Sequence, residues 1–347
     1  MGGLLFGTER LPLKEFNEYK KNIELLLDFY DIDYKVPLYY RDKKDFGDLD
    51  IIIKNTVPTQ TLLKLFTGCE CRYDQSETTI SFNYKGFQID FIRINPENFE
   101  IAFYYFSYND LGNLIGQLAK INYLKFGSDG LKYQHYLKGQ KIGTINISKD
   151  IDKILTFLDL NPSKFHEGFN SLKEIFDYII DSKYFNPYVS DLEPYGYSEA
   201  GVALYRLNKI NRERNYKRKT YQEWLQYIKR YKIGEDKYKF REDDDINEIF
   251  DRIDNFFPES KFKEKIEKIK KLEEDKLKLK NKFNGNIIKK LIPELNYKDF
   301  QFFIDSFKEN VLDGYRSFDD YVYITNQDVI NKDIINFYNN VFKKKYS

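Results

Sequence analysis

FGDLDIII, residues 46–53, and FQIDFI, residues 87–92, decide how this chain is read. Side chains in a strand alternate between its two faces, so residues i and i+2 project together. Leu49, Ile51 and Ile53 then face one way, and Asp48 and Asp50 the other. The β-branched run Ile51–Ile53 suits a buried strand. Two carboxylates side by side on such a strand repel each other. A cation of high charge density relieves that repulsion, and a set of oxygen ligands suits magnesium. Gly47, immediately before, lets a backbone or a phosphate approach closely. Asp90 interrupts a second apolar strand, where a carboxylate is costly unless paired or metal-bound. If the two strands are neighbours, Asp48, Asp50 and Asp90 converge on one edge of a sheet. Two magnesium ions, or manganese in their place, then fit about 3.5–4 Å apart. Asp-x-Asp by itself usually marks a loop or a solvent-facing strand edge. The preceding glycine, the isoleucine run and the third aspartate together point to a site.

Outward from these strands, residues 12–30 predict a helix with Phe16, Tyr19, Ile23, Leu26 and Leu27 on one stripe. A short helix is expected after Pro58. Residues 78–84 and 87–94 flank Lys85-Gly86 and predict a hairpin. Residues 107–124 read as a helix capped by Ser107 or Asn109. Residues 130–137 and 141–148 predict a second hairpin, and from Ser148 onward the patterns are almost wholly helical. A long helix is expected from Glu259 to Lys282, with Phe262, Ile266, Ile269, Leu272, Leu277 and Leu279 on a narrow apolar stripe above a solvated face. The expectation is an α+β chain: a mixed sheet with helices over residues 1–147, then a mainly helical domain over 148–347.

Composition narrows the function classes. The 347 residues favour two packed units. Hydrophobic residues make up 41%, with 30 Tyr and 30 Phe, enough for a substantial core. The 56 basic and 55 acidic residues nearly cancel, so any nucleic-acid binding needs a local basic face. Cys69 and Cys71 have no second pair to complete a zinc site, and the two histidines, His135 and His166, are isolated. A histidine-rich metal centre is excluded. No signal-peptide pattern or membrane-length apolar stretch is found, so a soluble, cytoplasmic protein is expected.

FGDLDIII followed by FQIDFI resembles the polymerase-β nucleotidyltransferase superfamily, over roughly residues 30–95. That superfamily includes poly(A) polymerases, tRNA CCA-adding enzymes and small adenylyltransferases. The resemblance implies that Asp48 and Asp50 are metal ligands, and that Asp90 is a ligand and the base for the acceptor hydroxyl. It departs from the pattern upstream. Where the superfamily has a Gly-Ser that cups the triphosphate, this chain has Val36-Pro37-Leu38-Tyr39-Tyr40-Arg41. Gly2-Gly3, Arg10 and the order FGDLDI, SYNDLGNLIG, SDGLKY, FNPY, KRKTYQEWL are also similar to a group of phage and large-virus proteins described as nucleotidyltransferases. The high Lys, Asn, Ile, Tyr and Phe usage fits an AT-rich genome of that sort, and host cytoplasm is then the expected location. Residues 283–310 faintly resemble the tail of CCA-adding enzymes, where an Asn-Gly precedes a helix pair.

Other candidates carry two readings each. Arg41, Lys43 and Lys44 either supply charge to a triphosphate in place of Gly-Ser or form a solvated turn. Lys132 either contacts a phosphate or simply follows the Asp129-Gly130 turn, and the turn is favoured. Gly112 and Gly116 let their helix pack closely. Arg212, Arg214, Lys217 and Arg218, with Tyr216 and Trp224 interleaved, suit a nucleic-acid backbone and its bases, or line a solvated helix. The expected function is metal-dependent transfer of a nucleoside monophosphate from a nucleoside triphosphate to an acceptor hydroxyl, with an RNA or tRNA 3′ end as acceptor. The alternatives are adenylyl-type transfer to a protein or small molecule, and a non-catalytic module that keeps the fold.

Overall fold

The structure is a computed structural model that describes residues 5–73, 75–137, 140–190, 215–232, 246–312 and 314–346. A two-residue strand β1 (Leu11–Pro12) leads into helix α1 (Leu13–Phe29). Strands β2 (Tyr34–Lys35), β3 (Asp45–Phe46) and β4 (Asp48–Lys54) follow, then helix α2 (Thr59–Leu65). Next come β5 (Glu70–Tyr73), β6 (Thr79–Tyr84) and β7 (Phe87–Ile94). β2, β4, β7, β6 and β5 form a mixed five-stranded sheet in that order. β4 and β7 are parallel neighbours, and the other pairs are antiparallel.

The sheet forms because its strands present one continuous apolar face. Leu49, Ile51 and Ile53 of β4, Ile80 and Phe82 of β6, and Phe87, Ile89 and Phe91 of β7 are buried together. Phe16, Ile23 and Leu27 of α1 and Leu62 of α2 complete this core. The hairpin between β6 and β7 turns at Lys85 (φ 52°) and Gly86 (φ 82°), a left-handed pair that suits the twist of a tight hairpin. Among the described residues, the apolar cover of the opposite face of the sheet is partial. Helix α3 (Phe99–Phe106) packs Phe99 and Ala102 on Ile52, which leaves the Asp48 end of β4 clear of this apolar cover.

The predicted helix over 107–124 is shorter and is replaced at both ends. Tyr108 (φ 59°) and Asn109 (φ 60°) are both left-handed, so neither lies in a helix. Helix α4 starts at Leu111 and ends at Ile121, with Asp110 at its N-cap, and strand β8 (Leu124–Gly127) follows. β8 pairs with β9 (Gly130–Leu137), which pairs with β10 (Gln140–Ser148), in a separate three-stranded sheet. Gly112 is needed by α4 at its start: a Cβ there would lie 2.1 Å from the carbonyl oxygen of Tyr105.

The chain divides into two compact units, residues 1–263 and 264–347. The junction at 147 read from the sequence falls inside the first unit, at the end of β10. There the short helices α5 (Ile151–Phe157), α6 (Pro162–Glu167) and α7 (Leu172–Ile180) bury Ile154, Leu155, Phe165, Ile175 and Ile179. Helices Lys219–Ile228 and Ile246–Phe256 belong to the same unit. The expected long helix is present as Phe262–Lys282. The second unit is helical. Its core of Ile288, Phe303, Phe307, Tyr321, Val322, Ile330 and Ile334 joins helices Gly285–Leu291, Phe300–Asn310, Phe318–Ile324 and Gln327–Phe337. Among the described residues no helix is long and apolar enough to cross a membrane.

Candidate active site

The parallel ladder between β4 and β7 sets Asp50 directly opposite Asp90, and Asp48 opposite Gln88. Asp48, Asp50 and Asp90 therefore sit on one face, and one carboxylate oxygen from each lies within 4.8 Å of the others. Among the described residues this is the one group of acidic, histidine or cysteine side chains close enough to hold a metal ion. Gln88 donates to both oxygens of Asp90, at 3.1 and 2.9 Å, and Ser81, opposite Asp90 on β6, donates as well. Gln88 in turn accepts from the backbone N–H of Leu5 at 3.2 Å.

Three charges so close are costly. At 4.8 Å and an effective dielectric near 20, each pair of unit charges repels by about 3.5 kcal/mol. Three such pairs rival the whole stability of a typical domain, about 5–15 kcal/mol. Burial and the repulsion shift all three carboxylates in the same direction, upward. Burial, then the charges of Asp48 and Asp90, push Asp50 well above the ordinary carboxylate range. Burial raises Asp48, with Lys43, Arg10 and Arg218 opposing. Burial also raises Asp90, against the hydrogen bonds from Ser81 and Gln88. A set of oxygen donors that is half-buried, convergent and only partly compensated by positive charge could hold a divalent cation.

Two of these cations, Lys43 and Arg218, bear on both Asp48 and Asp50. Lys43 is half-buried; desolvation lowers its pKa, while Asp48 and Asp50 pull it back up. Its ammonium lies 4.4 Å from the centre of the Phe46 ring and donates to the side chain of Asn109 at 3.2 Å. Arg218 bears electrostatically on Asp48 and Asp50 and is ion-paired to the buried Asp110.

The remaining sequence candidates are placed as follows. Gly47 is buried between β3 and β4. Arg41 donates to Asn170 at 2.8 Å and to the carbonyl of Glu167 at 2.6 Å, which ties its loop to the end of α6 and the segment after it. Lys44 is exposed. Lys132 is buried in β9 and paired with Asp129 on the adjoining turn. Lys217 is exposed, and Arg212 and Arg214 lie outside the described residues. Sequence reasoning missed Ser81, Gln88, Asn109 and Asp110. Gln88 had a local signal, a polar residue two positions before Asp90 on an otherwise apolar strand. Asp110 had none, because its partner is 108 residues away.

No protein-family model matches this chain, and no curated protein matches it.

Proposed function

We propose that this chain is a metal-dependent nucleotidyltransferase, which moves a nucleoside monophosphate from a nucleoside triphosphate to an acceptor hydroxyl and releases pyrophosphate. The observation that carries the reading is the convergence of three half-buried carboxylates from two parallel strands, with Lys43 and Arg218 bearing on them. Asp48, Asp50 and Asp90 would hold two magnesium ions or manganese, since the donors are all carboxylate oxygens and lack full charge compensation from the protein. When bound, the metal supplies positive charge to the triphosphate and acidifies the attacking hydroxyl.

The acceptor oxygen forms a bond to the α-phosphorus, and the bond from that phosphorus to the bridging oxygen breaks. The hydroxyl proton goes to the Asp90 carboxylate. Gln88 and Ser81 fix that carboxylate in place, and burial raises its pKa, which makes it a better proton acceptor than an ordinary carboxylate. Lys43 and Arg218 offset the negative charge of the triphosphate, the role that the superfamily gives to the missing Gly-Ser. Tyr216, 54% exposed, and Lys217 beside Arg218 support an RNA 3′ end as acceptor. One observation favours a second acceptor class. Arg218 is committed to Asp110, which leaves less free charge for RNA and suits a protein or small-molecule hydroxyl.

The test is transfer from α-labelled ATP, CTP, GTP and UTP in turn, with magnesium or manganese, onto total RNA and protein. The Asp48→Ala/Asp50→Ala double variant is the control. Label that vanishes in the variant supports the reading and names the acceptor class. Absence of label with every nucleotide, together with no metal-dependent triphosphate binding, favours a non-catalytic module that keeps the fold.

A further inference from the structure

Tyr108 and Asn109 are consecutive left-handed residues, and neither is glycine. For a residue as bulky as tyrosine this conformation costs about 1–3 kcal/mol and persists only where surrounding contacts enforce it. Those contacts are present. The Tyr108 ring is buried edge-on against Phe165 and Phe169, its hydroxyl donates to the carbonyl of Phe165 at 3.3 Å, and its backbone N–H donates to the carbonyl of Leu38 at 2.6 Å. Ser107 receives the N–H of Leu38 at 3.1 Å. The turn is thus clamped to the loop that carries Lys43.

The next two side chains each hold one of the cations that face the triad. Asn109 accepts from Lys43 at 3.2 Å. Asp110, 6% exposed and at the start of α4, pairs with Arg218. Asp110 makes no side-chain capping bond to its helix, so its carboxylate is given over to the arginine. One strained turn therefore positions two cations that are 175 residues apart in the chain.

We infer that Asn109 and Asp110 are positioning residues, which aim Lys43 and Arg218 at the carboxylate triad so that the two cations seat the anionic end of the nucleotide. This rests on the nucleotidyltransferase reading for the identity of the anion. An aligned pair of cations binds a polyphosphate better than two free side chains, because the cost of ordering them is met on folding rather than on binding.

Calorimetric binding of inorganic tripolyphosphate with magnesium to the full chain tests this. Asn109→Gly removes the acceptor while glycine accepts the left-handed backbone without strain. It is expected to weaken binding about tenfold with an unchanged melting temperature. Asp110→Asn is expected to weaken binding about tenfold, and Asp110→Glu to restore it. In combination with Arg218→Ala, Asp110→Asn is expected to add no further loss, since it acts through that arginine. Nucleotide KM should rise in the Asn109→Gly and Asp110→Asn variants by more than kcat falls. The inference is overturned if tripolyphosphate fails to bind the unmodified chain, if Asn109→Gly and Asp110→Asn bind it normally, or if the Asp110→Asn and Arg218→Ala losses multiply. The two readings fail separately. Nucleotide transfer with multiplying losses sinks the positioning role alone, and intact coupling without transfer from any nucleotide sinks the nucleotidyltransferase reading alone.

Discussion

Asp50 and Asp90 are register partners across a parallel ladder, so their Cα atoms are opposed and their side chains leave the sheet on the same face. A bound cation or a proton would relieve that opposition. Asp50→Asn removes one charge at nearly constant shape. The variant is expected to lose transfer activity at least about a hundredfold, since its amide binds a divalent cation poorly. Without metal it is expected to melt higher than the unmodified chain, because repulsion is relieved. Added magnesium is expected to raise the melting temperature of the unmodified chain and leave the variant's unchanged. Thermal melts of both proteins, each with and without magnesium, check this. An equal magnesium shift in the two would remove Asp50 from the metal site.

The raised carboxylate pKa values set a pH dependence with a definite sign. Asp48, Asp50 and Asp90 all titrate above the ordinary value of about 3.9 in the folded chain. Between that value and the raised ones, the folded chain holds more protons than the unfolded chain. Stability of the metal-free protein from these groups is therefore full below about pH 3.9 and falls as pH rises through the raised values. Metal must displace those protons, so its affinity climbs over the same interval. The expected result is a magnesium-induced shift in melting temperature that is larger at pH 7.5 than at pH 5. A shift independent of pH would mean that the ion binds elsewhere.

Lys43 is the cation most closely tied to the triad, and its neighbours make a substitution there informative. Lys43→Met keeps the packing on Phe46 and removes the charge. The effect is expected mainly in KM for the nucleotide, raised about tenfold or more, as for a lost charge-assisted contact of roughly 1.5–3 kcal/mol. Asp48 and Asp50 lose a compensating charge, so their proton release moves to higher pH. Steady-state kinetics from pH 6 to 9 reads both effects, and an unchanged KM would remove Lys43 from nucleotide binding and leave it a packing role on Phe46.

How far these relationships were legible in the sequence depends on their range. The face shared by Asp48 and Asp50, the turn at Lys85-Gly86 and the stripe of α1 all follow from periods of two or about four residues, and each is found in the structure. The adjacency of β4 and β7 was a condition of the argument rather than a result. Between them the chain inserts α2 and the antiparallel strands β5 and β6, and local pattern does not say whether β4 pairs with β5, β6 or β7. The choice follows from matching apolar faces across the whole sheet. The end of the first compact unit is illegible for a related reason. Helices after Ser148 carry amphipathic stripes that read alike whether they cover the first unit or build a second. The turn at Tyr108–Asn109 was misread as helix because its left-handed backbone is imposed by Phe165, Phe169 and Leu38, residues remote in sequence.

Gly112 tests the packing that supports this turn. An added Cβ would meet the Tyr105 carbonyl oxygen at 2.1 Å and its ring carbon Cδ2 at 2.9 Å, so α3 and α4 must move apart. Gly112→Ala would ordinarily favour a helix by about 1 kcal/mol. Here overpacking is expected to reverse the sign and destabilise by about 1–3 kcal/mol, measured by urea unfolding. A stabilised Gly112→Ala would show that the junction between the two helices is looser than its geometry implies.

Lys120, near the end of α4, offers a check on burial away from the triad. Burial, aided by the charge of Lys125, lowers its pKa to about 8. Above about pH 10.4 the amine is neutral in the folded and unfolded chains alike, and burial costs little. Between there and pH 8 the unfolded chain binds the proton more readily, so stability falls as pH falls, and below pH 8 the loss is complete. Lys120→Met keeps the length of the side chain and removes the charge. Part of the lysine remains open to solvent, which reduces the full linkage value. The substitution is therefore expected to stabilise the protein by about 1–2 kcal/mol at pH 7, with the gain fading towards pH 10.5. Denaturant unfolding of both proteins at pH 7 and pH 10 decides it: a gain of equal size at both values would assign the effect to packing and leave the ammonium solvated.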